Sequence, residues 1–174
     1  MSYLLVGCQA VVTVVFAAAS VSKLRRRAEF RRTLMSALKM PLPRTGVVAW
    51  AVVVAEATTA LAVVAVPAVG FVLGAVLLAG FTAVIVSMMR RRVRTPCRCF
   101  GAGERPPGAV HLVRNAVLFA TAAAGGGFAV TGAGPRADLP AAVVAAAVGV
   151  IVAVLLIYLE DILALAQPVR ASAR

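Results

Sequence analysis

Five long apolar runs dominate this chain, at residues 3–21, 47–66, 68–89, 109–130 and 140–159. Three carry no charged residue; the second holds only Glu56, and the fourth only Arg114 beside His111. Each run is close to the roughly 20 residues a helix needs to cross a hydrocarbon core. In lipid the backbone must satisfy its own hydrogen bonds, so runs of this length predict helices. The expected fold class is therefore an all-α polytopic membrane protein, a bundle of four to five transmembrane helices. It forms a single domain over 1–166, followed by a short basic tail at 167–174. The second and third runs form one apolar stretch broken at Pro67 and Gly70. A continuous helix there would be about twice the bilayer thickness, so the break predicts a tight hairpin.

The basic residues set an orientation. Residues 22–44 hold eight Lys/Arg, residues 90–107 hold six and the tail holds two, whereas the connection on the opposite side has only Arg136. The positive-inside rule makes the basic side cytoplasmic, with the N-terminus outside and the C-terminus in the cytoplasm. The first run has no basic leader, and Lys23, Arg25, Arg26 and Arg27 follow it. That order reads as an uncleaved anchor, with cleavage after the small residues 17–20 as the alternative. A net charge of +12 would point to nucleic acid in a soluble protein. With 62% hydrophobic residues and charges confined between apolar runs, no soluble domain remains to bind it, and the partner is the lipid bilayer. In the first basic connection, Phe30, Leu34, Ala37 and Leu38 recur at helical spacing against Arg31, Arg32 and Lys39. This pattern predicts an interfacial amphipathic helix resting on anionic lipid.

Chemistry concentrates in Thr95-Pro96-Cys97-Arg98-Cys99-Phe100-Gly101, between the third and fourth runs. A Cys-x-Cys disulfide closes a tighter ring than Cys-x-x-Cys and is strained, and strained exposed disulfides are the labile, reactive ones. Arg98, with Arg94 and Arg105 nearby, favours thiolate and lowers a cysteine pKa from its usual ~8.5. Three readings stand: thiol–disulfide exchange, a soft-metal site for an ion such as Cu(I), or two incidental cysteines in a loop. Three cysteines in all are too few for a structural zinc site, and no metal-ligand set is assigned. Cys8, early in the first run and near the opposite face, reads as a packing residue.

Two ionisable groups lie inside the spans. Glu56 is about 15 Å from the basic side and Arg114 about 8 Å, by helical rise. An intramembrane carboxylate is costly unless protonated or paired, and marks a candidate site. One reading pairs Glu56 with Arg114 beneath the cysteine loop; the other keeps Glu56 protonated while Arg114 snorkels. His111 is a general base, a weak ligand or an interfacial residue. Glu160 and Asp161 end the fifth run on the basic side, facing cations and water.

The order of these features resembles the MauE family, grouped with DoxX-like redox-associated membrane proteins. The likeness rests on Ala-Ser-Val-Ser-Lys-Leu at 19–24, Glu56, Cys-Arg-Cys-Phe-Gly at 97–101 and His-Leu-Val-Arg-Asn at 111–115, and covers about residues 1–130. It implies a small helical bundle, similar to vitamin K epoxide reductase, that exchanges disulfides to mature partner proteins. In the family that partner is the methylamine dehydrogenase small subunit. By position it implies Cys97 and Cys99 as the redox pair, supported by Glu56, Arg114 and Asn115. Arg98 and His111 join them from the residue reading. The electron partner would be a quinone or a thioredoxin-like, disulfide-containing protein. No residue identifies which, and a non-enzymatic scaffold or copper-handling protein is the alternative function. One conflict follows. The family's exported substrate needs thiols outside, and the charges place them inside. Either the topology is inverted, or the loop folds back into the bundle, or the electrons come from cytoplasmic thiols.

Overall fold

The computed structural model describes residues 2–38, 41–91, 108–131 and 138–166. The described residues form seven helices: α1 (Ser2–Arg25), α2 (Arg27–Leu38), α3 (Leu42–Ala65), α4 (Pro67–Arg90), α5 (Ala109–Thr131), α6 (Leu139–Ile157) and α7 (Leu159–Ala166). Five of them, α1, α3, α4, α5 and α6, are long and apolar enough to cross a membrane. The chain is an all-α polytopic membrane protein, as its apolar runs require.

The α3–α4 hairpin turns on one residue. Val66 leaves helical geometry at φ −137°, ψ 78°, and Pro67 opens α4. Proline suits that position because a first-turn N–H has no intrahelical partner. So short a turn forces the two backbones together. A Cβ on Gly70 would lie 2.2 Å from the Val63 nitrogen, so the position excludes any side chain.

The bundle is built around α1, which packs against α3, α5 and α6. Its residues Val12, Val15, Phe16 and Ala19 meet Val63, Phe71, Leu78, Leu118 and Ala153 in one buried cluster. Lipid tails are as apolar as these side chains, so close packing rather than escape from water holds the helices together. Glycines permit it. A Cβ on Gly149 of α6 would sit 2.6 Å from the Gly7 carbonyl of α1, and one on Gly125 of α5 would sit 2.4 Å from the Phe71 ring. Cys8 packs against this same cluster.

Beyond a break at Arg26, α2 turns its apolar stripe toward the bundle. Phe30 and Leu34 are buried against Ala49, with Val48 and Val52 beside them, so the apolar stripe is covered by α3. The Arg27 guanidinium lies 4.5 Å from the Trp50 ring centroid and ties the polar edge of α2 to the same helix. The amphipathic period was legible; what lay against it was not.

Candidate functional site

Buried polar residues gather at one end of the bundle, because each occupies a slot on a stripe that is otherwise apolar. On α1 the buried stripe runs Val12, Phe16, Ala19 and then Lys23. Steps of four, three and four residues keep it on one face. On α3 it runs Ala49, Val53, Glu56, Ala60 and Val63, and on α5 it runs His111, Arg114, Asn115, Leu118 and Ala122. Charged groups on those stripes must find partners inside.

Glu56 finds Lys23. The ammonium and Glu56 Oε1 are 2.5 Å apart, with side chains 1% and 0% exposed. Lys23 heads a run of basic residues that flank the first span, yet its side chain turns inward. Two aromatic faces flank it, with Nζ 5.5 Å from the Phe30 centroid and 5.4 Å from that of Phe81. A lysine between two ring faces gains quadrupole attraction in addition to its ion pair.

Arg114 is also fully buried, at 2% side-chain exposure, and it reaches Glu160 on α7 with 3.9 Å between Nη1 and Oε1. His111, one turn earlier, places Nδ1 against the same carboxylate oxygen. Its Nδ1 lies 3.5 Å from Arg114 Nη2, so imidazole, guanidinium and carboxylate form one cluster. Of the two acids at the end of the fifth run, Glu160 thus meets a cation, while Asp161 is exposed. The chain steps out of α6 at Tyr158, and α7 turns back to pack on both α5 and α6. Asn115 donates from Nδ2 to Thr82 Oγ1 at 3.3 Å, linking α5 to α4.

A cavity of about 390 Å³ adjoins this cluster. Its walls are hydrocarbon, with Phe30 and Leu34 of α2, Val52 of α3, and Phe81 and Met88 of α4. Lys23, His111, Arg114 and Asn115 supply its polar end. Among the described residues no group of three or more His, Cys, Asp and Glu is gathered closely enough to hold a metal.

Four of the residues singled out in the sequence, Glu56, His111, Arg114 and Asn115, thus lie at the charged end of the bundle. Lys23 and Glu160 were missed. Cys97, Arg98 and Cys99 lie outside the described residues, in the connection 92–107. That connection joins the end of α4 to the start of α5, and both termini belong to the charged end. Among the described residues, buried Lys23 and Arg114 thus meet the carboxylates of Glu56 and Glu160, with an imidazole and an amide beside them.

Residues 1–130 match the family model described as Methylamine utilisation protein MauE. The match spans α1 to α5 and ends before α6 and α7, so Glu160 comes from outside it. No curated protein and no solved structure matches the chain.

Proposed function

The chain belongs to the MauE family, and from that membership we propose that this methylamine-utilisation-type membrane protein is a thiol–disulfide exchanger. Cys97 and Cys99 are its reacting pair. One thiolate attacks a sulfur of a partner disulfide; the partner's S–S bond breaks and a mixed disulfide forms. The second cysteine attacks that mixed disulfide and releases the partner as a dithiol. Two electrons and two protons pass to the partner, and the pair is left as a disulfide. The reverse sequence oxidises a partner dithiol. The partner is a disulfide-containing or thioredoxin-like protein, and its maturation is the biological outcome.

The observation that carries this reading is the charge cluster at the start of α5, the helix into which the cysteine connection leads. His111 and Arg114 lie within the first two turns of α5 and are tied through Glu160 to α7. A base of this kind anchors the helix that follows a reactive loop. Arg98, between the thiols, stabilises the attacking thiolate. By the charge rule the pair faces the cytoplasm, with the N-terminus outside.

Trapping tests the chemistry. Cys99→Ser is expected to accumulate a mixed disulfide through Cys97, and Cys97→Ser tests the opposite order. If neither variant traps a partner and the wild type binds Cu(I) tightly at one equivalent, the exchange reading fails in favour of metal handling. A membrane-impermeant thiol reagent applied to intact cells should leave both cysteines unlabelled, before and after reduction. Labelling would invert the orientation.

A further inference from the structure

We propose that a second cavity, where α1, α2 and α3 meet, holds the phosphodiester head of one anionic phospholipid, whose acyl chains stay in the bilayer against α3. This goes beyond the exchange reaction, and no residue of the connection 92–107 enters the argument. It also differs from a helix lying on a charged surface, because one lipid is assigned to one place.

The cavity holds about 190 Å³. That is less than the roughly 300–1,000 Å³ that encloses a whole small molecule, and it suits a head group whose chains remain outside. Phe30 and Val53 give it an apolar lining, and Lys23, Arg27, Arg31 and Trp50 line it as well. Lys23 is already matched by Glu56. Arg27 is therefore the cation that meets a ligand first, and Arg31, one turn later on α2, adds a second guanidinium.

The placing of Arg27 selects phosphate. Its guanidinium lies over the Trp50 ring, 4.5 Å from the centroid. A guanidinium held over a ring still offers the N–H donors of its fork to two phosphate oxygens. Among the described residues no carboxylate takes them, since Glu29 on the same helix turns to Arg26 at 3.8 Å.

The surroundings select a lipid. Trp50 is exposed, and Val47 and Val54 are exposed beside it on α3. By helical rise Trp50 lies about 9 Å inside Arg44, where that span begins. Tryptophan collects at this depth, the boundary between head groups and acyl chains. A soluble anion would leave these apolar groups uncovered; a phospholipid covers them with its chains. Basic pockets between transmembrane helices on the cytoplasmic side hold anionic heads by this combination. A phosphatidylcholine head fits less well, because its quaternary ammonium needs an aromatic face and Arg27 already lies over that of Trp50.

The test uses the full chain in dodecylmaltoside micelles, read by native mass spectrometry and thermal melting. The probes are dioleoylphosphatidylglycerol, dioleoylphosphatidylcholine with the same chains, and glycerol 3-phosphate with none. Phosphatidylglycerol is expected to give a one-to-one adduct and raise the melting midpoint. Phosphatidylcholine should bind on the order of 10-fold more weakly, and Arg27→Gln should weaken the phosphatidylglycerol adduct about 5-fold, the worth of one arginine at a charged head. Arg90→Gln removes the same charge from the exposed end of α4, away from the cavity, and should leave the adduct unchanged. Equal binding of the two phospholipids by the wild type would overturn the proposal. So would an Arg90→Gln loss as large as that of Arg27→Gln, which would mean a diffuse positive surface. Displacement of phosphatidylglycerol by an equal concentration of glycerol 3-phosphate would also overturn it, in favour of a soluble anion. Should Arg27→Gln not fold, Trp50→Leu decides: a reduced preference for phosphatidylglycerol sustains the site, and an unchanged preference refutes it.

Discussion

Removing either member of the Lys23–Glu56 pair leaves the other charge buried, and the cost follows from the geometry. The atoms are 2.5 Å apart and the side chains 1% and 0% exposed, so water cannot reach in to replace the lost partner. Breaking a buried pair from one side costs about 3–5 kcal/mol. For a chain of this length, about 2–4 °C in melting midpoint per kcal/mol converts that to a fall of about 6–20 °C. Lys23→Met removes the ammonium from between Phe30 and Phe81 but puts a thioether against the same rings, a contact worth about 0.3–1.5 kcal/mol. Glu56→Gln keeps the lysine in its aromatic cradle, so its fall should lie at the smaller end. The combination Lys23→Met with Glu56→Leu replaces both charges by apolar groups of similar size. Such replacements of buried pairs are often neutral, so it should melt within about 4 °C of the wild type, using the same conversion. The assay is thermal unfolding of the detergent-solubilised protein, with Lys23→Met, Glu56→Leu and their combination arranged as a double-mutant cycle. Additive losses in the double variant, or single variants that melt with the wild type, would show that the two charges do not depend on each other.

Glycine positions separate by what a side chain would strike. Gly70→Ala and Gly149→Ala force a Cβ within 2.2 Å and 2.6 Å of a neighbouring helix backbone. Each should destabilise by about 1–3 kcal/mol in the same melting assay, whereas Gly80→Ala meets no atom and should be neutral or gain about 0.5–1 kcal/mol. Glu160→Gln removes the carboxylate shared by His111 and Arg114, and faster amide exchange in α7 than in α6 should report its release from α5.

The spans were legible because a run of about 20 apolar residues admits few folds in lipid, and the hairpin because Pro67 interrupts such a run. Glu56 and Arg114 stood out as charges inside apolar sequence. Their partners did not, for different reasons. Lys23 sits at the head of a basic cluster whose charge signal masks it, although the stripe Val12, Phe16, Ala19 points its Cβ into the bundle. Glu160 had no such signal. Its contact with His111 depends on α6 returning to the charged end and on the step at Tyr158, neither of which is a local property of the residues. For α2 the period fixes which residues share a face, but an apolar stripe fits a helix neighbour as readily as acyl chains.

The two charge pairs also differ in when they can form during synthesis. Lys23 and Glu56 are 33 residues apart. Both have emerged before α4 begins, so the first buried cation can enter the bilayer already neutralised. Arg114 precedes Glu160 by the whole of α6, and must wait for the last described helix before this carboxylate reaches it. The early helices can therefore assemble with their first buried ion pair made, while the contact that ties α5 to α7 closes only when α7 arrives. A ribosome stalled before Glu160 would leave a nascent chain with its first ion pair made and Arg114 still lacking the Glu160 carboxylate.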